Sequence, residues 1–542
     1  MIEIRARNTP SVRASRLRLL SGLLVFGLIG ALACGHLAAC GQADSASSPR
    51  PTSLDEPDSG VLDADASAPD AWAPDASAPD VWASDASAPD AWASDASTPD
   101  ALPDFDSGSS PNDRTLRVTA PCTDALSDVY ATPADAASKP LGSILRCAQD
   151  PAWSLSADVL SSALKEPATS GLEAYRLSYR TSRNYDNPVG IAGTARLLVP
   201  TTPADLGTPL PIVVINHGTV GLADGCAPSL RDPHLEADLN SATLLALSLA
   251  AQGLAVIAPD YAGMGNEGVQ GYGDGIDTAF SVLDAARALT LAFDTAEISN
   301  RVLMTGHSQG GGATFEAVAL AATYAPEFEV VAAGIFSGRY RSGDSSAARI
   351  NPARPLGSGG FATVLSSYAK AANTVQESEA LAIFAASHRA ALSTLITRRC
   401  VSQLNDWLEP RALTFGGLFD EAFIADYNAC VMGAATCSGV SRAMTEARPT
   451  HQPLTADSAQ ILMVVGDADE LNSPEEVACT YAQAHADGSA LQLCVDATAT
   501  HASIVPSRHA FVRRWLLAQL AGDAALSCPA DMHTGPTSTC GP

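Results

Sequence analysis

The chain has 542 residues, with 59 acidic against 32 basic and a formal charge of −27. That length exceeds one ordinary domain, so a single large domain with appendages is the starting expectation. A balance this acidic excludes nucleic acid as partner, since phosphate binding needs clustered Lys and Arg, and it argues against strong attraction to anionic lipid surfaces.

The N-terminus accounts for part of the length. Arg5, Arg7, Arg13, Arg16 and Arg18 precede an apolar run from Leu19 to Ala33, too short to span a bilayer and suited to the h-region of an export signal. Leu37-Ala38-Ala39-Cys40 follows and resembles a bacterial lipobox. Residues 1–40 are therefore expected to be a lipoprotein signal peptide, with Cys40 the lipid-bearing first residue of the mature chain. Residues 41–113 contain a decapeptide that occurs four times, beginning at Asp65, Asp75, Asp85 and Asp95. Its prolines block long helices and its aspartates repel one another, so the stretch is expected to be an extended, disordered stalk.

The body then alternates short apolar runs with helix-like spans. Residues 175–181 and 191–199 suit a hairpin at an antiparallel sheet edge. The runs at 212–215, 254–258, 301–305, 330–336, 461–465 and 491–495 lack polar alternation, as strands buried on both faces do. Helical spans such as 242–251 and 278–293 lie between them. This βα alternation predicts a mostly parallel central sheet flanked by helices, with ligands at the carboxyl ends of the strands. One interval breaks the rhythm: residues 339–453 carry mostly helical patterning (361–372, 379–395, 418–427) and read as a helical cap inserted between two core strands. The core is then 114–338 and 454–542.

Ten cysteines lie in the body. An even number in an exported chain suggests disulfides, and no Cys/His cluster has zinc spacing. Nearby pairs such as Cys122–Cys147, Cys479–Cys494 and Cys528–Cys540 are candidates, although spacing leaves connectivity open.

Gly306-His307-Ser308-Gln309-Gly310 matches G-x-S-x-G. The pattern alone arises by chance in about one chain in six of this length. Here a buried-strand run precedes it and a helix-like run follows, which is the setting of a serine raised on a sharp turn. Serine needs an imidazole base oriented by a carboxylate. Two aspartates, Asp467 and Asp469, follow the strand at 461–465, and Asp469 is preferred because the loop must travel before it faces the base. His501 follows the last strand and is the expected base. His485 and His509 read as surface residues, and His307 as packing. Gln309 N–H is the natural first oxyanion donor at the start of a helix, and Gly218 or Thr219 the expected second.

These segments carry a family resemblance. Pro259-Asp260-Tyr261, Gly263, Gly265, the run 283–288, 306–311, Tyr324-Ala325-Pro326-Glu327 and Cys226-Ala227-Pro228-Ser229 together resemble the secretory lipases. That resemblance implies an α/β-hydrolase fold with a helical lid inserted before the catalytic acid, and it implies the triad Ser308, Asp469 and His501. His217-Gly218-Thr219 departs from some fungal members, which use an acidic side chain there, so the second oxyanion donor carries over least well. The expectation is a carboxylic ester hydrolase acting through an acyl-enzyme on a small-molecule or lipid ester. It would need no cofactor or metal, act as a monomer, and sit in the cell envelope by its N-terminal lipid. A serine peptidase with the same triad and an inactive surface binding protein are the rivals.

Overall fold

The computed structural model describes residues 115–540, except 186–188, 207–208, 232–239, 341–348, 376, 435, 438 and 446–450. The export segment, Cys40 and the repeat stalk lie outside the described residues.

The sheet is built from the runs expected of it. After β1 (Ile144–Gln149) and α1 (Ala157–Leu164) come β2 (Leu172–Arg180), β3 (Ala192–Pro200) and β4 (Leu210–Asn216). Helix α2 (Ser241–Ala250) leads to β5 (Val256–Pro259), α3 (Gly275–Ala292) to β6 (Ile298–His307), and α4 (Gln309–Tyr324) to β7 (Glu329–Phe336). The order across the sheet begins β1-β2-β3-β5-β4-β6-β7. β1, β2 and β3 run antiparallel at one edge, and parallel pairing begins at β5–β4. Every residue of β4 is buried, as a strand covered on both faces requires. Helices α3 and α4 pack on one another.

After β7 the chain leaves the sheet for a run of helices: α5 (Gly360–Ala372), α6 (Glu377–Ala380), α7 (Arg389–Arg398), α8 (Val401–Leu408), α9 (Phe415–Leu418), α10 (Glu421–Val431) and α11 (Gly439–Thr445). They enclose a separate apolar core around Val364, Leu365, Tyr368, Leu392, Leu404 and Phe419, joined by Leu222 and Val269 from loops of the sheet body. The span 379–395, expected as one helix, is broken. Phe384 is fully buried, bridges to Phe419 and stacks on its ring at 5.6 Å. Burying an aromatic in the cap core outweighs local helical preference there.

The sheet resumes with β8 (Gln460–Gly466), α12 (Pro474–Ala486), β9 (Leu491–Asp496) and α13 (Ile504–Ala521), and ends in the antiparallel strand β10 (Met532–Thr534). Helix α13 packs against α2. The fold is that of an α/β-hydrolase. Among the described residues no helix is long and apolar enough to cross a membrane.

Five disulfides join Cys122–Cys147, Cys226–Cys400, Cys430–Cys437, Cys479–Cys540 and Cys494–Cys528. The Cys479–Cys494 and Cys528–Cys540 candidates are thus replaced. Cys494 lies inside β9, and β10 pairs with β9, so the returning tail brings Cys528 to Cys494 and carries Cys540 on to α12. Sequence proximity does not encode that return.

Candidate active site

The sheet reverses its direction of growth at β4. The chain moves from β4 to β5 on one side, then crosses to β6 on the other. A crevice opens at the carboxyl ends of strands where order reverses in this way. The loop with His217 and Gly218 follows β4, and Ser308 follows β6.

Ser308 forms the bend between β6 and α4 at φ 57°, ψ −116°, a left-handed conformation that costs energy for a residue with a Cβ. Close approach of its neighbours explains the flanking glycines. A Cβ at Gly306 would lie 2.3 Å from Gly310 O, and one at Gly310 would lie 2.0 Å from Asn216 O. Any side chain at either position would push the bend apart.

His501 and Asp469 come from the loops after β9 and β8. Gly466 lets these loops touch, since a Cβ there would lie 1.9 Å from Ala499 O. His501 Nδ1 lies 3.0 and 2.9 Å from the two oxygens of Asp469. The carboxylate also accepts from the N–H groups of Leu471 (2.9 Å) and Asn472 (2.7 Å). Burial alone would push the Asp469 carboxyl up. Its bond and charge interaction with His501, with help from Asn472 N–H and Ser337, outweigh burial and hold it below the ordinary carboxylate range. Asp467 is occupied elsewhere, accepting from His533 (3.1 Å) and Thr537 (3.1 Å) of the C-terminal tail.

Ser308 and His501 line one cleft of about 1650 Å³ between the sheet and the cap helices. Among the described residues no hydrogen bond joins the serine hydroxyl to the imidazole. With Nδ1 held by Asp469, Nε2 is the nitrogen left to take a proton, and such contacts commonly tighten only with substrate in place.

Gly218 stands against the bend, where a Cβ would lie 3.7 Å from Ser308 Cβ. Thr219 lines the cleft, and its hydroxyl shares a 2.7 Å hydrogen bond with that of Tyr272. Gln309 is the first residue of α4, so its N–H is one of the unpaired donors of a helix start.

Supporting residues surround these. His307 packs its ring 4.7 Å from that of His501 and bonds through Nε2 to His501 O at 2.9 Å. Burial first, then the neighbouring His501, push the His307 imidazole down to about 3, so it stays uncharged beside His501. Asn472 donates to Ser337 O and accepts from Arg339 Nε at 2.6 Å, tying the Asp469 loop to the end of β7. Tyr261, at φ 67°, donates to His217 O at 3.0 Å and stacks on the His217 ring, which steadies the loop carrying Gly218. Beneath it Asp260 accepts from Thr194, from Ser229 N–H and from the Ser229 hydroxyl. The Pro259-Asp260-Tyr261 motif pointed to this region, but nothing in the sequence pointed to Asn472 or Arg339. His509, expected at the surface, is 8% exposed and pairs with Glu166 at 3.3 Å. Helix α13 begins five residues before it, which turns the side chain inward; His485 is exposed. Among the described residues no cluster of His, Cys, Asp and Glu could hold a metal ion.

With this geometry in place, known proteins give a context. A profile of the secretory lipase family matches residues 235–340. Lipase A of Moesziomyces aphidis is 30% identical over 167 residues, 30% of this chain and 34% of that protein. Lipase 7 of Candida albicans is 27% identical over 227 residues, 41% of this chain and 49% of that protein. The chain thus spans between a third and a half of the length of these curated relatives. Among solved structures, closed Candida antarctica lipase A superposes with a TM-score of 0.55 at 19% identity, covering 74% of this chain and 87% of that one. The rice cell wall degrading esterase LipA from Xanthomonas oryzae gives 0.52 at 19% identity, covering 71% and 98%. At such identity the likeness speaks for the fold. The chain has the α/β-hydrolase fold, and its segment 235–340 is similar to secretory lipases.

Proposed function

We propose that this chain is a carboxylic ester hydrolase of the lipase and esterase type, with Ser308 as nucleophile, His501 as base and Asp469 as its orienting acid. One observation carries the reading: a serine on a left-handed bend shares a cleft with an imidazole whose Nδ1 is bonded to a buried carboxylate. Ser308 Oγ attacks the ester carbonyl carbon while its proton passes to His501 Nε2. Asp469, ionised at neutral pH because its pKa is depressed, stabilises the imidazolium. Neutral His307 adds no competing charge beside it. The oxyanion is received by Gln309 N–H and by N–H groups of the Gly218–Thr219 loop. The carbon–oxygen bond to the alcohol then breaks, the alcohol leaves with the proton from His501, and water attacks the acyl-enzyme by the same route.

The helices between β7 and β8 form a lid over this cleft, fastened to the oxyanion loop by Cys226–Cys400. The chain is exported, in keeping with five disulfides, which persist in oxidising compartments, and is held to the envelope by lipid on Cys40 through the acidic stalk. A fluorophosphonate probe tests the chemistry. It should label Ser308 alone, and Ser308→Ala should lose p-nitrophenyl butyrate hydrolysis while keeping its thermal transition. Turnover retained by that variant would overturn the assignment.

A further inference from the structure

Helix α4 leaves Ser308 with one face on the cleft: Gln309, Gly312, Ala313 and Glu316 all line it, at the spacings that share a helix face. Gly312 and Ala313 leave room beside the serine. Glu316 lies eight residues on, about 12 Å along a helix rising about 1.5 Å per residue. The surroundings change there from small to charged. Glu316, 2% exposed, bonds to His451 Nδ1 and accepts from Gln452 N–H at 3.1 Å. Asp274, which caps α3, adjoins the pair: a Cβ on Gly275 would lie 2.4 Å from Glu316 Cγ and 3.0 Å from His451 Nδ1. Lys370 of α5 completes the group, with burial lowering its pKa and Asp274 opposing that effect. All four line the cleft. His451 is 8% exposed, and its Nε2 has no hydrogen-bond partner among the described residues.

A plain alkyl chain pressed against this cluster would leave His451 Nε2 without a partner, strip water from the half-buried Lys370 ammonium and return no hydrogen bond. A hydroxyl or amide at the chain's end would replace the lost water. An extended chain advances about 1.3 Å per carbon–carbon bond of about 1.5 Å, so about nine carbons cover the distance from the ester.

Resting on the ester hydrolase reading, we propose that Glu316, His451, Asp274 and Lys370 form a specificity subsite for a hydrogen-bonding head group at the far end of the substrate arm that lies along α4. The arm is the acyl chain or the alcohol, and two substrate series separate them. One compares p-nitrophenyl butanoate, decanoate and ω-hydroxydecanoate; the other compares butyl, decyl and ω-hydroxydecyl butanoates. In one series the hydroxylated ester should exceed its plain ten-carbon counterpart about tenfold in kcat/KM. Glu316→Leu should bring that ratio near one. Lys370→Met, on the half-buried cap helix, should lower it as well and serves if Glu316→Leu does not fold. Plain chains turned over as well as hydroxylated ones in both series, or a ratio unmoved by either substitution, would overturn the subsite. Butanoate turnover and fluorophosphonate labelling are read in the same samples. Their absence overturns the ester hydrolase reading itself, whereas their presence without head-group preference overturns the subsite alone.

Discussion

On the sheet side of the cleft, backbone approach dictates position. Gly306 and Gly310 admit the Ser308 bend, Gly466 admits the loop that carries His501, and three N–H donors from Leu471, Asn472 and His501 converge on Asp469. The cap side is built differently. Its helices gather around an apolar core that Leu222 and Val269 of the sheet body enter, and further ties to that body include the Cys226–Cys400 bond, Val401 N–H on Val220 O at 2.9 Å, Ser358 on Glu470 O at 3.0 Å, Arg183 on Asn373 at 3.2 Å, and His451 on Glu316. The sheet half is rigid because any displacement breaks many short contacts together. The cap half rests instead on apolar packing around Phe384, Phe419 and Tyr368. The triad candidates thus sit on the first alone, whereas the proposed subsite joins Glu316 and Asp274 of the sheet body to Lys370 and His451 of the cap interval.

Substitution at Asp469, the proposed acid, tests the sheet half most severely. Asp469→Asn should lower kcat about ten-thousandfold by stabilising the wrong imidazole tautomer, with little change in the thermal transition. Asp467→Asn should leave kcat near the wild-type value, because that carboxylate serves His533 and Thr537. Equal losses from the two would mean the loop holds its acid otherwise than seen here.

A smaller effect sharpens the contrast with the cap. Cys226→Ser combined with Cys400→Ser opens a ring of 174 residues, a change of about 2–5 kcal/mol in the chain-entropy account. Limited proteolysis should then cut the cap helices first while the sheet body stays protected. Simultaneous degradation of both would show that they unfold as one unit.

The smallest effect lies at the seam. Asp274 faces Asp277, Asn184, His451 and Lys370, and burial first, then Asp277, raise its pKa to about 7. A raised carboxyl binds its proton in the folded chain where the unfolded chain has released it. Stability therefore falls as pH rises from about 4 to about 7 and is level above that. Asp274→Asn keeps a capping side chain on α3 and should narrow the difference in melting temperature between about pH 5 and about pH 8. An unchanged difference would place the titration elsewhere.

Local chemistry made much of this legible beforehand. Runs such as 212–215 and 461–465 are strands because apolar residues without polar alternation suit burial on both faces. Ser308 was visible because its bend demands small neighbours in adjacent positions. Strands β1 and β10 were not legible, being short and only partly buried, so neither shows a clear period. The cap break at Phe384 was hidden because its cause, Phe419, is 35 residues away along the chain.

Residue type and order thus determined which side chains could do chemistry and on which strands they ride, because those constraints act over a few neighbouring residues. Tertiary structure alone set Asp469 against His501 and Asp467 against His533, paired Cys494 with Cys528, buried His509 and gathered Glu316, His451, Asp274 and Lys370 at one wall. Each of these depends on where a distant segment returns, and that is set by packing of the whole sheet and cap rather than by any local preference.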